Sequence, residues 1–198
     1  VRSDKVMVAF VAEFSRGKSE LINAIFFADY GRRIMPASAG RTTMCPTELG
    51  YDAEVAPSLR LLPIETRLQA QSLAEWRLQP DRWMEIPLDV GNADQIAKAL
   101  EKVSDVRTIS LDAARALGFW HDDLVDENPL PNAQGLVEVP MWRHALINIP
   151  HPLLKQGLVI LDTPGLNAIG AEPELTVSLI PQAHAVVFIL AADTGVTK

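Results

Sequence analysis

Cysteine occurs once in the 198 residues, as Cys45, so no internal disulfide can form and a reducing compartment suits the chain. The four histidines, His121, His144, His151 and His184, show no metal-ligand spacing, which argues against a zinc site. No apolar run is long enough to span a bilayer; the longest, Ala185 to Ala192, has the length of a buried strand. No signal-peptide pattern precedes the first strand-like run. Positive charge is also in short supply. A formal net charge of -7 leaves no overall field for nucleic acid or an acidic membrane, so either contact would need a local basic patch or a segment outside this chain. Asp122, Asp123 and Glu127 read as a solvated acidic turn rather than a catalytic carboxylate pair.

What is present is a core. At 48% hydrophobic and 22% charged, the chain suits one domain and is too short for two of full size. Lys5 to Ala12 is a near-continuous apolar run, as expected of a strand buried on both faces. Lys18 to Ala28 follows with Leu21, Ile22, Ile25 and Phe26 at helical spacing, which opens an α/β pattern. Ile34 to Pro46 reads as a loop, and Thr47 to Leu62 as extended chain broken at Pro57. Asn92 is a candidate N-cap for a helix through Val103, and Ser110 for another through Leu117. Val137 to Ile149 favours strand. Gly157 to Leu161 and Ala185 to Ala191 are further buried-strand candidates, with a helix between them at Pro173 to Ala183, bent or ended by Pro181. Trp76, Trp83, Trp120 and Trp142 are expected to pack in the core. The absence of an initial methionine, and the stop at Lys198 just after a strand, read as a piece of a longer protein.

Three motifs carry chemistry. Ala12-Glu13-Phe14-Ser15-Arg16-Gly17-Lys18-Ser19 matches the phosphate-loop pattern G-x-x-x-x-G-K-[ST] except at its first position, where Ala12 stands for glycine. Backbone N–H groups from Glu13 to Glu20 would wrap an anionic phosphate, with Gly17 supplying a conformation a side chain would obstruct. Lys18 would meet the β- and γ-phosphates, the Ser19 hydroxyl could bind Mg²⁺, and the helix N-terminus adds its dipole. The second motif is Asp162-Thr163-Pro164-Gly165, in which Asp162 could hold Mg²⁺ directly or through water and Gly165 offers an N–H to the γ-phosphate. The third is the pair Thr42-Thr43, where Thr43 is the first choice and Thr42 the second for a threonine that closes over metal and γ-phosphate.

Phe10 to Phe26, the loop Pro36 to Thr43, Leu158 to Asn167 and Val186 to Asp193 together resemble bacterial dynamin-like large GTPases. The resemblance covers about half the chain and is loose in the middle. It implies a three-layer P-loop G-domain with a mostly parallel sheet, incomplete at the C-terminus. Residues 1–198 would form a partial GTPase domain, with a long insertion at about 63–150 between the switch threonine and DTPG. It further implies GTP and GDP as ligands with Mg²⁺. Small Ras-like enzymes orient water with a glutamine after the DxxG glycine; Leu166 stands there and cannot do so. Dynamin-like proteins use the switch threonine and backbone groups instead, and neutralise charge near a phosphate-loop serine, often through a monovalent cation. Ser15 matches that serine; Arg16 beside it either supplies charge itself or faces solvent. Catalytic candidates are thus Ser15, Arg16, Lys18 and Thr43, and metal candidates Ser19, Thr43 and Asp162.

The family also implies self-association across the nucleotide face and membrane contact through segments absent here. A cytoplasmic protein, peripheral at the inner face of the membrane and without nucleic-acid partners, fits that picture. The base-reading N/T-K-x-D motif is not present, so an ATPase stays open beside two other readings. One is a nucleotide-dependent scaffold with little hydrolysis; the other is a GTPase acting on ribosome or RNA, against which the acidic balance argues.

Overall fold

The computed structural model describes residues 5–12, 17–36, 45–163 and 170–189. Nine strands and five α-helices alternate along these residues. They are β1 (Val6–Ala12), α1 (Lys18–Phe26), β2 (Thr47–Gly50), β3 (Ser58–Pro63), α2 (Leu73–Arg77), β4 (Met84–Pro87), α3 (Ala93–Glu101), β5 (Val106–Ile109) and α4 (Leu111–Ala116), then β6 (Val137–Pro140), β7 (Trp142–Asn148), α5 (Pro152–Lys155), β8 (Leu158–Asp162) and β9 (Ala185–Ile189). A single π-helical turn, Leu175–Leu179, precedes β9.

The main sheet has the order β4-β3-β7-β2-β8-β1-β9. β8 and β9 flank β1 in parallel, and β2 runs parallel to β7; β2–β8, β3–β7 and β3–β4 are antiparallel. The parallel part is where crossover connections bring strand ends and helix starts to one edge. Because side chains alternate across a strand, neighbouring residues feed opposite layers. Phe10 and Ile160 join a core with Ile22 and Phe26 of α1, Ile96 and Leu100 of α3 and Leu154 of α5. Ala9 and Leu161 face the other way, onto Leu73 and Trp76 of α2 and Leu175 and Leu179 of the π-helix. This is the expected α/β sandwich. A third cluster, with Ile64, Ala114, Leu117, Phe119, Val137 and Val139, packs α4 against the separate β5–β6 ribbon to form a small lobe.

Several expectations shift in detail. Val137 to Ile149 is two strands, not one: Pro140 has no N–H to continue a ladder, and Met141 bonds to Asp105 and Ile64 between β6 and β7. The helix expected over Pro173 to Ala183 is the short π-turn, ended before Pro181. The buried strand expected at Ala185 is exposed among the described residues: β9 pairs there with β1 alone, and Phe188 is 65% exposed. In α1 the buried face runs through Lys18, Ile22 and Phe26, with Ile25 turned outward. The Asn92 and Ser110 caps form as read, each accepting from a backbone N–H three residues on. A further capping box at Ser72 and Glu75, with the S-x-x-E spacing, starts α2. Trp76, Trp83 and Trp142 are buried and Trp120 is half-buried.

Between the sheet and α2 lies a buried polar cluster. His144 Nε2 and Glu48 Oε2 are 2.8 Å apart, Arg77 pairs with the same carboxylate, and the Trp83 ring stands edge-on to the imidazole at 6.3 Å. Burial, seconded by the Arg77 charge, pushes His144 down to about 3, so the folded protein holds it neutral and donating to Glu48. Unfolded chains protonate this histidine below its ordinary value of 6.5 whereas the folded chain does not, so its contribution to stability is lost as pH falls from 6.5 towards 3. Denaturant melts of the His144→Gln variant should show a shallower loss of stability between pH 6.5 and 4 than the native chain, by up to about 1.4 kcal/mol per pH unit. Identical slopes in the two proteins would rule this out.

Candidate functional site

The site grows from one pairing. β8 lies parallel to β1 with Phe10 opposite Asp162, so the carboxylate at the end of β8 sits beside the strand that leads into the phosphate-loop pattern. Thr163 is tied to β1, its N–H donating to the Phe10 carbonyl at 3.2 Å and its hydroxyl to the same oxygen at 2.9 Å.

Gly17 turns the chain into α1 with φ of 91°, a left-handed conformation open to glycine at little cost. A Cβ there would be 3.6 Å from Ile189 Cγ2, so it is the backbone conformation rather than space that demands glycine. Among the described residues no side chain caps α1, and the first helical bond is Leu21 N–H to the Gly17 carbonyl at 2.9 Å. The N–H groups of Lys18, Ser19 and Glu20 therefore have no intrahelical acceptor, the arrangement that suits an anion at a helix start.

Lys18 is buried, and its Nζ lies 2.6 Å from Asp162 Oδ1 and donates to the Thr163 carbonyl. The contact with Oδ1 is close in distance but poorly aligned, so the oxygen has an ion pair and no directed hydrogen bond. Burial pushes the Asp162 carboxyl up from its ordinary value, and the Lys18 charge opposes that rise. Ser19 is buried in the first turn of α1. The Glu20 side chain is exposed and pairs with Arg33, leaving its backbone N–H as the group that faces the loop's end of the helix.

The structure thus brings Lys18, which stands between Gly17 and Ser19 at the start of α1, against Asp162 from a distant part of the sequence. Glu13, Phe14, Ser15, Arg16, Thr42, Thr43, Gly165 and Leu166 lie outside the described residues. Cys45, at the end of the switch segment, is buried, and burial pushes its thiol up to about 12, which makes it unreactive.

Sequence reading passed over three supports. Asn23 is buried in α1; its Oδ1 accepts from Ile34 and Met35 N–H at 3.0 and 2.7 Å, and its Nδ2 donates to the Met35 carbonyl. It ties the chain that leads towards the threonine pair to the helix bearing Lys18. A polar residue on the buried stripe of a helix was the available signal. Thr163, to which the motif assigns no role, is a second support through its two bonds to Phe10. The third support is a pair of arginines, Arg67 and Arg143, that grip the chain after the DTPG motif through Glu172. A cavity of about 360 Å³ opens elsewhere, lined in part by Met7, Val159 and Gly50. These residues lie toward the N-terminal ends of β1 and β8, whereas ligands of such sheets bind beyond the carboxyl ends.

No curated protein matches the chain. Two solved structures of an oligomerised bacterial dynamin pair, described as providing a mechanism for the long-range sensing and tethering of membranes, are similar in fold. One is 13% identical with a TM-score of 0.50 over 99% of this chain, the other 21% identical with a TM-score of 0.42 over 93%. This chain spans 24% and 20% of their respective lengths. The family model described as "Dynamin family" matches residues 8–198, and the chain therefore belongs to the dynamin family.

Proposed function

We propose that this chain is the nucleotide-binding part of a GTP-hydrolysing protein, with Gly17, Lys18, Ser19 and Asp162 at its phosphate site. The observation that carries the reading is the buried Lys18–Asp162 pair at the start of α1, where a lysine and a carboxylate meet the first backbone N–H groups of a helix that no side chain caps among the described residues. Lys18 would neutralise phosphate charge, and the N–H groups from Glu13 to Glu20 and of Gly165 would donate to its oxygens.

The donor set fits Mg²⁺. The Ser19 hydroxyl and the Asp162 carboxylate are hard oxygen donors, and no group of three or more His, Cys, Asp or Glu suited to a metal occurs among the described residues. A cation that keeps phosphate and water oxygens in its shell suits such a sparse protein contribution. Thr43 would add a further oxygen. When bound, Mg²⁺ supplies charge neutralisation at the phosphates. Ser15 and Arg16, or a monovalent cation beside Ser15, would meet charge that develops during hydrolysis, and Thr43 with backbone groups would hold the water that Leu166 cannot.

Residues 1–198 then form a partial dynamin-type GTPase domain elaborated at about 63–150. Self-association across the nucleotide face would complete its groups, and membrane contact would use segments outside this chain. The solved structure with a TM-score of 0.50, described as providing a mechanism for the tethering of membranes, supports this by similarity of fold alone.

In the intact protein, Lys18→Ala should weaken fluorescent GTP binding about 10- to 100-fold, the scale of a charge-assisted contact, with ATP binding weak throughout. Equal GTP binding in the variant would make the loop structural only. Gly17→Ala should cost roughly 1–2 kcal/mol in thermal or denaturant stability because it forces a left-handed alanine. An unchanged melt would show that the turn relaxes freely. Turnover of GTP per molecule should rise with protein concentration; a brisk rate independent of concentration would contradict activation by self-association, and binding without turnover would favour the scaffold reading.

A further inference from the structure

We propose that Lys18 and Asp162 act as stand-in ligands for each other, so that nucleotide and metal bind well only as a pair; the inference rests on the phosphate-site reading above. The lysine takes the place of a cation at the carboxylate, and the carboxylate takes the place of a phosphate at the lysine. Lys18 Nζ and Asp162 Oδ1 are 2.6 Å apart, and the two side chains are only 6% and 12% exposed. Neither has another oppositely charged partner among the described residues.

Uncharged groups hold the pair in place. Asp162 ends β8, whose register against β1 sets it opposite Phe10. Lys18 opens α1 and also donates to the Thr163 carbonyl. Thr163 is in turn bonded to the Phe10 carbonyl through its N–H and its hydroxyl, at 3.2 and 2.9 Å. The ammonium group thus has a fixed neutral acceptor beside the carboxylate.

The contact between the two charges is incomplete in a way that suits exchange. Asp162 Oδ1 is buried and makes no directed hydrogen bond among the described residues, so charge alone binds it to Lys18. A buried carboxylate oxygen in that condition is open to a hard cation or to a water carried by one. An ammonium group has three N–H donors; Lys18 directs one to Thr163 and keeps the rest available to an anion.

Burial then decides which ligands are accepted. Removing one partner of a buried pair leaves the other charge uncompensated, which is far costlier than losing a surface pair. A metal-free nucleotide would engage Lys18 and set its own negative charge beside that of Asp162. A nucleotide-free metal would engage Asp162 and face the Lys18 ammonium. With both ligands present, Lys18 meets phosphate, Asp162 meets the cation, and no charge is stranded. The coupling is reciprocal, so each ligand raises the affinity for the other by the same factor. An aspartate that served as metal ligand alone would act differently: its loss would weaken binding with metal and leave metal-free binding as it was.

The test measures binding rather than turnover, on the intact protein. Fluorescent GTP is titrated with excess EDTA and again with Mg²⁺. Mn²⁺, which shares the preference of Mg²⁺ for oxygen ligands, is titrated without nucleotide by electron paramagnetic resonance. In the native protein GTP should bind about 100-fold or more tightly with Mg²⁺ than without it, and Mn²⁺ alone should bind with Kd above about 1 mM. Asp162→Asn, which keeps the shape and removes the charge, should tighten metal-free GTP about tenfold and shrink the gain from Mg²⁺. Lys18→Gln should tighten Mn²⁺ alone by about tenfold. Thermal melts identify a variant that fails to fold, and the other then decides. Metal-free GTP affinity that is unchanged or weaker in folded Asp162→Asn overturns the proposal, as does unchanged Mn²⁺ affinity in folded Lys18→Gln. Tight binding of Mn²⁺ alone to the native protein overturns it without any variant. In each of these cases native GTP binding with Mg²⁺ leaves the phosphate-site reading standing, whereas a native protein that binds GTP under neither condition overturns both.

Discussion

The parallel pairing of β1 with β8 is the constraint on which the site depends. It sets Phe10 beside Asp162 across an intervening stretch that holds most of the chain's secondary structure. Only with that register does the lysine that opens α1 meet the carboxylate that closes β8. The pairing is held by more than its ladder. Apolar side chains on both faces of β1 and β8 are buried in opposite cores, so a slip by one residue would exchange Ala9 with Phe10 and place the wrong volume in each layer. The position of the charged pair is thus secured by the packing of residues that carry no charge.

Both buried polar clusters outside the site lie around β7. Glu48, His144 and Arg77 join β2, β7 and α2; Arg67, Arg143 and Glu172 join β7, the Ile64 turn and the chain after DTPG. Each satisfies charge with charge and keeps the backbone nearby in register. Apolar residues of similar volume could give equal or greater stability, but they would not fix direction as an arginine fork does. The tight Gly170–Phe119 contact has the same character, in that it admits one arrangement and penalises neighbours.

Local signals carried far where chemistry is local. A short side-chain oxygen three residues before a free N–H marks a helix start, and Asn92 and Ser110 do so here. The phosphate-loop pattern likewise implies a strand, a left-handed glycine and a helix with bare N–H groups, and β1, Gly17 and α1 follow it. Signals weakened where partners are distant. Arg67, Arg143 and Glu172 look like ordinary surface charges in sequence, since nothing within a few residues of any of them reveals its partner. Asn23 could have been noticed only by asking which face of α1 is buried, and the apolar spacing gave Ile25 a place on that face which the packing denies it.

By itself, then, the sequence determined the α/β class, the starts of α1, α3 and α4 and the residue types of the phosphate loop, because caps, glycine turns and apolar periodicity act within one or two turns of chain. Tertiary structure alone decided that Val137 to Asn148 divides between two sheets, and that Lys18 rests against Asp162 while Glu172 is gripped by two arginines. Those outcomes depend on strand order and on burial, and both follow from which distant surfaces exclude water together, a property of the whole chain rather than of any window in it.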